Sequence, residues 1–138
     1  MTLKILCFED NPQDQARLRN SFAHHDVHFK FFSVPGEEWN ITPTRAQEIS
    51  AFGPNMAIVD LMDDATGDTT PGYRVIRQLK ESPATNAVPV VAWSRMFKDN
   101  PDGHRAVTRA EGFGAVPLQK STEIPTSAER FLEAAHLL

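Results

Sequence analysis

The hydrophobic positions of the chain form short runs that alternate with segments of helical, amphipathic spacing. The clearest run is Met56 to Val59, which shows no alternation of apolar and polar residues, follows a Gly-Pro turn and ends at Asp60. Such a run is typical of a strand that is buried on both faces of a sheet. Other apolar runs predict four more strands, over residues 3–8, 27–34, 88–93 and 115–119.

A helical pattern follows each predicted strand. Asn11 or Asp10 can cap the first helix, and Pro12 suits its first turn. The last helix has an apolar stripe that consists of Ile124, Ala128, Phe131, Leu132 and Ala135. The predicted helices cover about residues 12–24, 42–52, 72–82, 102–111 and 122–138.

This alternation of strands and helices predicts an α/β fold. Neighbouring parallel strands need a crossover long enough for a helix, and such crossovers are right-handed. We therefore expect a (βα)5 doubly wound parallel sheet with helices on both faces. The 138 residues can bury one core of ordinary size and leave no room for a second one. The expected organisation is a single domain over residues 1–138, without an output domain after the last helix.

Composition and charge argue against several classes of function. The formal net charge of −4 and the pI near 5.7 argue against unaided binding to nucleic acid, which needs a basic face. The chain has neither an apolar run long enough for a membrane span nor a signal-peptide pattern, so we expect a cytoplasmic protein without membrane contact. A single cysteine, Cys7, excludes an internal disulfide framework and is expected to be a buried structural thiol.

Polar residues follow four of the predicted strands: Glu9 and Asp10, then Asp60, Ser94 and Lys120. In a parallel sheet these strand ends lie at one edge, where ligands bind. Carboxylates held close together repel each other unless a cation lies among them, and Mg²⁺ prefers such oxygen ligands. A carboxylate can also accept a phosphoryl group, whose charge a lysine and a hydroxyl would offset. The sequence therefore predicts a site for Mg²⁺ and a phosphoryl group.

These residues, spread over essentially the whole chain, resemble the receiver domain of two-component response regulators, the CheY-like family. The resemblance implies a flavodoxin-like fold with strand order 2-1-3-4-5. It implies that Asp60 is the phosphoacceptor and that Ser94 and Lys120 contact the phosphoryl group. The implied magnesium ligands are Glu9, Asp10, Asp60 and the backbone carbonyl of Met62.

The resemblance also implies partners. A histidine kinase or a phosphotransfer protein would donate the phosphoryl group, and a separate effector protein would read the phosphorylated state. The family's effector surface corresponds to the fourth helix, fifth strand and fifth helix, including Arg109, Phe113 and Arg130. The protein would at most act on its own phosphoryl group and is not expected to be an ordinary enzyme. The sequence does not decide whether the protein forms a homodimer.

The chain departs from the family pattern at three positions near the predicted site. Arg95 follows Ser94 where the family usually has a small residue, and its guanidinium could reach the phosphoryl group or screen it. Pro117 replaces an aromatic that is common three residues before the lysine, so no aromatic ring can swing inward there. Ser121 follows Lys120 where the family commonly has proline.

The loop after Asp60 is several residues longer than is usual in the family. Asp63, Asp64 and Asp68 in this loop could add negative charge beside the metal or form a partner-specific surface.

Two other functions compete with a phosphorylated receiver. A degenerate receiver, never phosphorylated, would act as a constitutive protein-binding module. Arg95, Pro117 and Ser121 favour that reading, whereas the intact acids and the lysine oppose it. A magnesium-dependent phosphohydrolase similar to haloacid dehalogenases would need a second acid two residues after the nucleophile. Met62 stands at that position and counts against it.

Overall fold

The structure is a computed structural model and describes residues 2–61, 70–95, 101–121 and 124–138. Within these residues, strands and helices alternate along the chain. The strands are β1 (Leu3–Phe8), β2 (Val27–Phe32), β3 (Met56–Val59), β4 (Val90–Ser94) and β5 (Val116–Gln119). The helices are α1 (Pro12–Ser21), α2 (Pro43–Phe52), α3 (Thr70–Glu81), α4 (Pro101–Gly112) and α5 (Ala128–Ala134).

The five strands form one parallel sheet with the order β2-β1-β3-β4-β5. β3 is central, and all four of its side chains are buried. Its register places Val59 beside Phe8 of β1 on one side and beside Ala92 of β4 on the other. The flavodoxin-like (βα)5 fold and its predicted strand order are therefore confirmed.

Helices cover both faces of the sheet because the side chains of each strand alternate between them. On one face, Ile58 belongs to a buried cluster with Leu18 of α1 and Phe131 of α5. On the other face, Val59 packs in a cluster with residues of α2, α3 and α4, such as Ile76. Among the described residues, no helix combines the length and hydropathy that a membrane span requires.

The last helix differs from its prediction. α5 begins only at Ala128, after Ser127, whose hydroxyl accepts a hydrogen bond from the backbone N–H of Arg130. Ile124 is 73% exposed, so its predicted place in the core stripe is wrong. The physical reason is that Pro125 disfavours helical backbone at the residue before it, and Ser127 is itself extended. The other four members of the stripe are buried as predicted.

The first helix is also shorter than predicted. It ends at Ser21, where the backbone N–H of Phe22 donates to the carbonyl of Leu18 and that of Ala23 donates to the carbonyl of Asn20 in a closing turn. Asn11, one of the two predicted caps, accepts hydrogen bonds from the backbone N–H groups of Gln13 and Asp14. Its position fixes which residues of α1 face the sheet edge.

Candidate functional site

The candidate site is built around the ammonium group of Lys120, at the end of β5. The residue is 2% exposed, and its Nζ donates to Glu9 Oε1 at 2.7 Å, Asp14 Oδ2 at 3.0 Å and Asp60 Oδ2 at 3.4 Å. Glu9 follows β1, Asp60 follows β3, and Asp14 lies on α1. One buried cation therefore contacts two acids that follow strands and one acid on α1.

The sheet fixes the backbone of these residues. The N–H of Asp60 donates to the carbonyl of Phe8 at 2.9 Å, and the N–H of Lys120 donates to the carbonyl of Ser94 at 2.8 Å. The strand pairing thus continues into the site. Ser94, the last residue of β4, is buried at the same edge.

Helix α3 packs directly against the backbone of Asp60. A Cβ at Gly72 would lie 2.3 Å from the carbonyl oxygen of Asp60 and 2.8 Å from Cα of Leu61. Real Cβ atoms do not approach backbone so closely, so only glycine allows this contact. Gly72 therefore helps to set the position of the predicted phosphoacceptor.

The donor set fits a divalent metal ion. Glu9, Asp10 and Asp60 each offer a carboxylate oxygen, and these oxygens lie within 4.8 Å of one another. Glu9 and Asp60 are buried and Asp10 is half-buried. Hard oxygen donors at such spacing suit Mg²⁺ or Mn²⁺. Met62, the fourth predicted ligand, lies outside the described residues.

Burial and charge shift the protonation of the site. Burial, and next the negative charge of Asp60, raise the pKa of Glu9 to about 8, against the lowering effect of Lys120. Burial lowers the pKa of Lys120, but Asp60 and Glu9 outweigh it, so that the pKa lies above its usual value. The lysine therefore stays charged, while Glu9 binds a proton more readily than an ordinary glutamate.

The sequence analysis missed Asp14. This residue is 0% exposed and accepts hydrogen bonds from three cations. They come from Lys120, from Arg95 and, at 2.6 Å, from Arg17 on the same helix. Burial alone would raise the pKa of Asp14, but Lys120, Arg95 and Arg17 hold it below its usual value. The available signal was helical spacing, since Asp14 precedes the buried Leu18 by one turn.

Arg95 lies at the site and is bound to Asp14. Its Nη2 donates to Asp14 Oδ1 at 2.8 Å, and its Nη1 donates to Asp14 Oδ2 at 3.0 Å. Such bidentate pairing is the strongest geometry between arginine and a carboxylate. The guanidinium thus spans from the end of β4 to the first turn of α1.

Of the remaining residues predicted near the site, some are described by the structure and others are not. Pro117 lies in β5, an edge strand, and is paired in register with Ala92. Ser121 directly follows Lys120 and is half-buried. Asp63, Asp64 and Asp68 lie outside the described residues, so their predicted roles stay predictions.

No family model matches the chain, and no curated protein matches it in sequence. Solved structures do match it. The signal receiver domain of a signal transduction histidine kinase from Syntrophus aciditrophicus is 21% identical, with a TM-score of 0.62 over 97% of this chain and 86% of that chain. A putative response regulator from Chloroflexus aurantiacus is 14% identical, with a TM-score of 0.68 over 99% and 98%.

A third match is the Mn²⁺-bound form of the response regulator Rcp1. It is 17% identical to this chain, with a TM-score of 0.65, and the match covers 98% of this chain and 91% of that one. At such identities the similarity establishes the fold. The chain has the fold of response regulator receiver domains.

Proposed function

We propose that the chain is a phosphoacceptor receiver in which Asp60 is phosphorylated in the presence of Mg²⁺. The donor would be a histidine kinase or a phosphotransfer protein, and phosphorylation would switch binding to a separate effector protein. The observation that carries the proposal is the buried Lys120, shared by acids that include Asp60, at the sheet edge where receiver folds place their site. The resemblance of the strand-end residues and the fold both support it.

The proposed reaction uses the carboxylate of Asp60 as the nucleophile. One of its oxygens attacks the phosphorus of a phosphohistidine, an O–P bond forms, and the P–N bond to the imidazole breaks. The imidazole leaves with the bonding electron pair, and Asp60 becomes an acyl phosphate. The protein would turn over only its own phosphoryl group, so it is not an enzyme in the ordinary sense.

The charges of the site explain why a cation is needed. Four acids, Glu9, Asp10, Asp14 and Asp60, converge there, and phosphorylation adds further negative charge. Lys120 contacts three of these acids and would neutralise part of the charge on the phosphoryl oxygens. Glu9, Asp10 and Asp60 would hold Mg²⁺, which supplies positive charge to the transferred group.

The test is the intact mass of the protein after incubation with a small-molecule phosphodonor and Mg²⁺. The wild type should gain one phosphoryl group, and Asp60→Asn should gain none. Asp26→Asn is the matched control, since Asp26 is an exposed acid outside the site, and it should behave like the wild type. EDTA should prevent the adduct in every sample.

A second candidate function is a degenerate receiver that binds its partner constitutively. It is favoured by Pro117, which leaves β5 without the aromatic ring that many receivers have at this position. If the folded wild type gains no phosphoryl group from a donor that labels a working receiver, the first proposal is wrong and this second one takes its place.

A further inference from the structure

The ion pair between Asp14 and Arg95 is not among the contacts that the family resemblance implies. Arg95 lies directly after Ser94, and Asp14 lies 81 residues earlier in the chain. Nη1 of Arg95 and Nζ of Lys120 donate to the same oxygen, Asp14 Oδ2, each at 3.0 Å. The guanidinium is therefore separated by a single carboxylate from the lysine that contacts Asp60.

Asp14 does not depend on Arg95 for its charge balance. Arg17, one turn along α1, donates to Asp14 Oδ1 at 2.6 Å, and Lys120 donates to the other oxygen. If Arg95 moved away, Asp14 would keep two of its three cationic partners. The usual cost of leaving a buried charge unpaired would then be small.

Arg95 is suited to move. Its side chain is 28% exposed, whereas that of Lys120 is 1% exposed. Its Nε is buried and has no hydrogen-bond partner in the described part of the chain. Bound to Asp14, the guanidinium thus leaves a donor unused that an additional acceptor could take.

Building on the receiver function proposed above, we infer that Asp14 binds Arg95 while Asp60 is unphosphorylated. When Asp60 is phosphorylated, Arg95 moves to the phosphoryl group. In this scheme Asp14 is a positioning residue and Arg95 is a second phosphoryl-binding cation beside Lys120. A phosphoryl group offers about two negative charges and three acceptor oxygens, which match the fork of a guanidinium better than a monoanionic carboxylate does.

The movement of Arg95 would also break a connection between the end of β4 and α1. In the unphosphorylated protein, the Asp14–Arg95 pair joins the residue after β4 to the first turn of α1. Phosphorylation would break this link and so release Arg95, which lies between β4 and α4, from α1. Pro117 stands where many receivers have an aromatic residue that swings inward. In this chain the movement of Arg95 would instead transmit the phosphorylation of Asp60 to the rest of the protein.

The test measures binding of beryllium fluoride, a phosphoryl analogue, at saturating Mg²⁺. Tryptophan fluorescence can report it, since the Trp93 ring centroid lies 4.3 Å from Nζ of Lys120. The variants are Arg95→Ala, Asp14→Asn and the double variant. Arg19→Ala is the matched control, because it removes an exposed arginine of the same helix whose guanidinium lies over the Phe31 ring.

Arg95→Ala is expected to weaken binding about tenfold or more, as loss of one charge-assisted hydrogen bond would. Asp14→Asn should tighten binding, since it releases Arg95 and Lys120 from a carboxylate. Arg19→Ala should change binding by less than about threefold. The decisive comparison is Arg95→Ala in the Asp14→Asn background. There it should still weaken binding about tenfold if Arg95 contacts the analogue.

An Arg95 that only neutralises Asp14 gives a different result. Removing it in the Asp14→Asn background would then leave binding unchanged, and that result overturns the inference. Equal affinities of the wild type and Arg95→Ala would overturn it too, even if Asp14→Asn fails to fold. A folded wild type that binds no beryllium fluoride at any Mg²⁺ concentration would instead refute the proposed receiver function itself.

Discussion

Replacing Lys120 by methionine should destabilise the protein strongly. The change keeps most of the side-chain volume and removes the ammonium that lies 2.7, 3.0 and 3.4 Å from oxygens of Glu9, Asp14 and Asp60. Removing one partner from a buried ion pair typically costs about 3–5 kcal/mol, because the remaining charges stay buried. We expect a loss in this range in the free energy of unfolding at pH 8, without metal.

The loss should shrink as the pH falls. Lys120 lowers the pKa of Glu9 and of Asp14 in the folded protein, so its removal raises both. The folded variant then binds more protons than the folded wild type, and its stability relative to the wild type decreases as the pH increases. Lys120→Met should therefore be closer to the wild type at pH 5.5 than at pH 8.

The assay is urea unfolding of both proteins at pH 5.5 and pH 8 in EDTA. The matched control is Lys30→Met, since Lys30 forms a 3.0 Å ion pair with Glu48 at the surface, where a pair contributes about 0–1 kcal/mol. If Lys120→Met cost no more than Lys30→Met at pH 8, the charge argument for the site would be refuted.

Two further outcomes follow from the geometry of the site. Gly72→Ala should destabilise the protein by about 1–3 kcal/mol in urea unfolding, because its Cβ would lie 2.3 Å from the carbonyl oxygen of Asp60. Gly112→Ala should cost little, since nothing lies within 4 Å of its Cβ, and equal costs would contradict the packing argument. Magnesium affinity, measured by calorimetry, should rise by up to about tenfold from pH 6 to pH 7 and level off above pH 8, because Glu9, with a pKa of about 8, must lose its proton to bind the metal. A flat profile would show that Glu9 is not a ligand.

The sheet and most of the site could be predicted because they depend on local pattern and topology. A continuous apolar run such as Met56–Val59 identifies a central strand without knowledge of its neighbours. Once the strands are parallel, their carboxyl ends must meet, and this brings Glu9, Asp60 and Lys120 together. Ile124 was misjudged because helical spacing alone does not show where a helix begins.

The partners of Asp14 and the burial of Trp39 could not be predicted because they depend on distant parts of the chain. The cations that hold Asp14 from outside α1 lie 81 and 106 residues away. Trp39 follows β2 in a segment without a predicted element, yet it is fully buried, and its ring packs edge-on against Phe8 of β1. Helical spacing places Asp14 on the buried side of α1 but does not show which cations contact it, and Trp39 lies outside any periodic pattern.

The most direct test of the proposed function is to identify the carboxylate that carries the phosphoryl group. After incubation with a phosphodonor and Mg²⁺, borohydride reduces an acyl phosphate to an alcohol, and peptide mass spectrometry locates the change. We expect it at Asp60 alone, although Glu9, Asp10 and Asp14 lie at the same sheet edge. Reduction at one of those acids, or at none of them, would contradict the assignment of Asp60 as the phosphoacceptor.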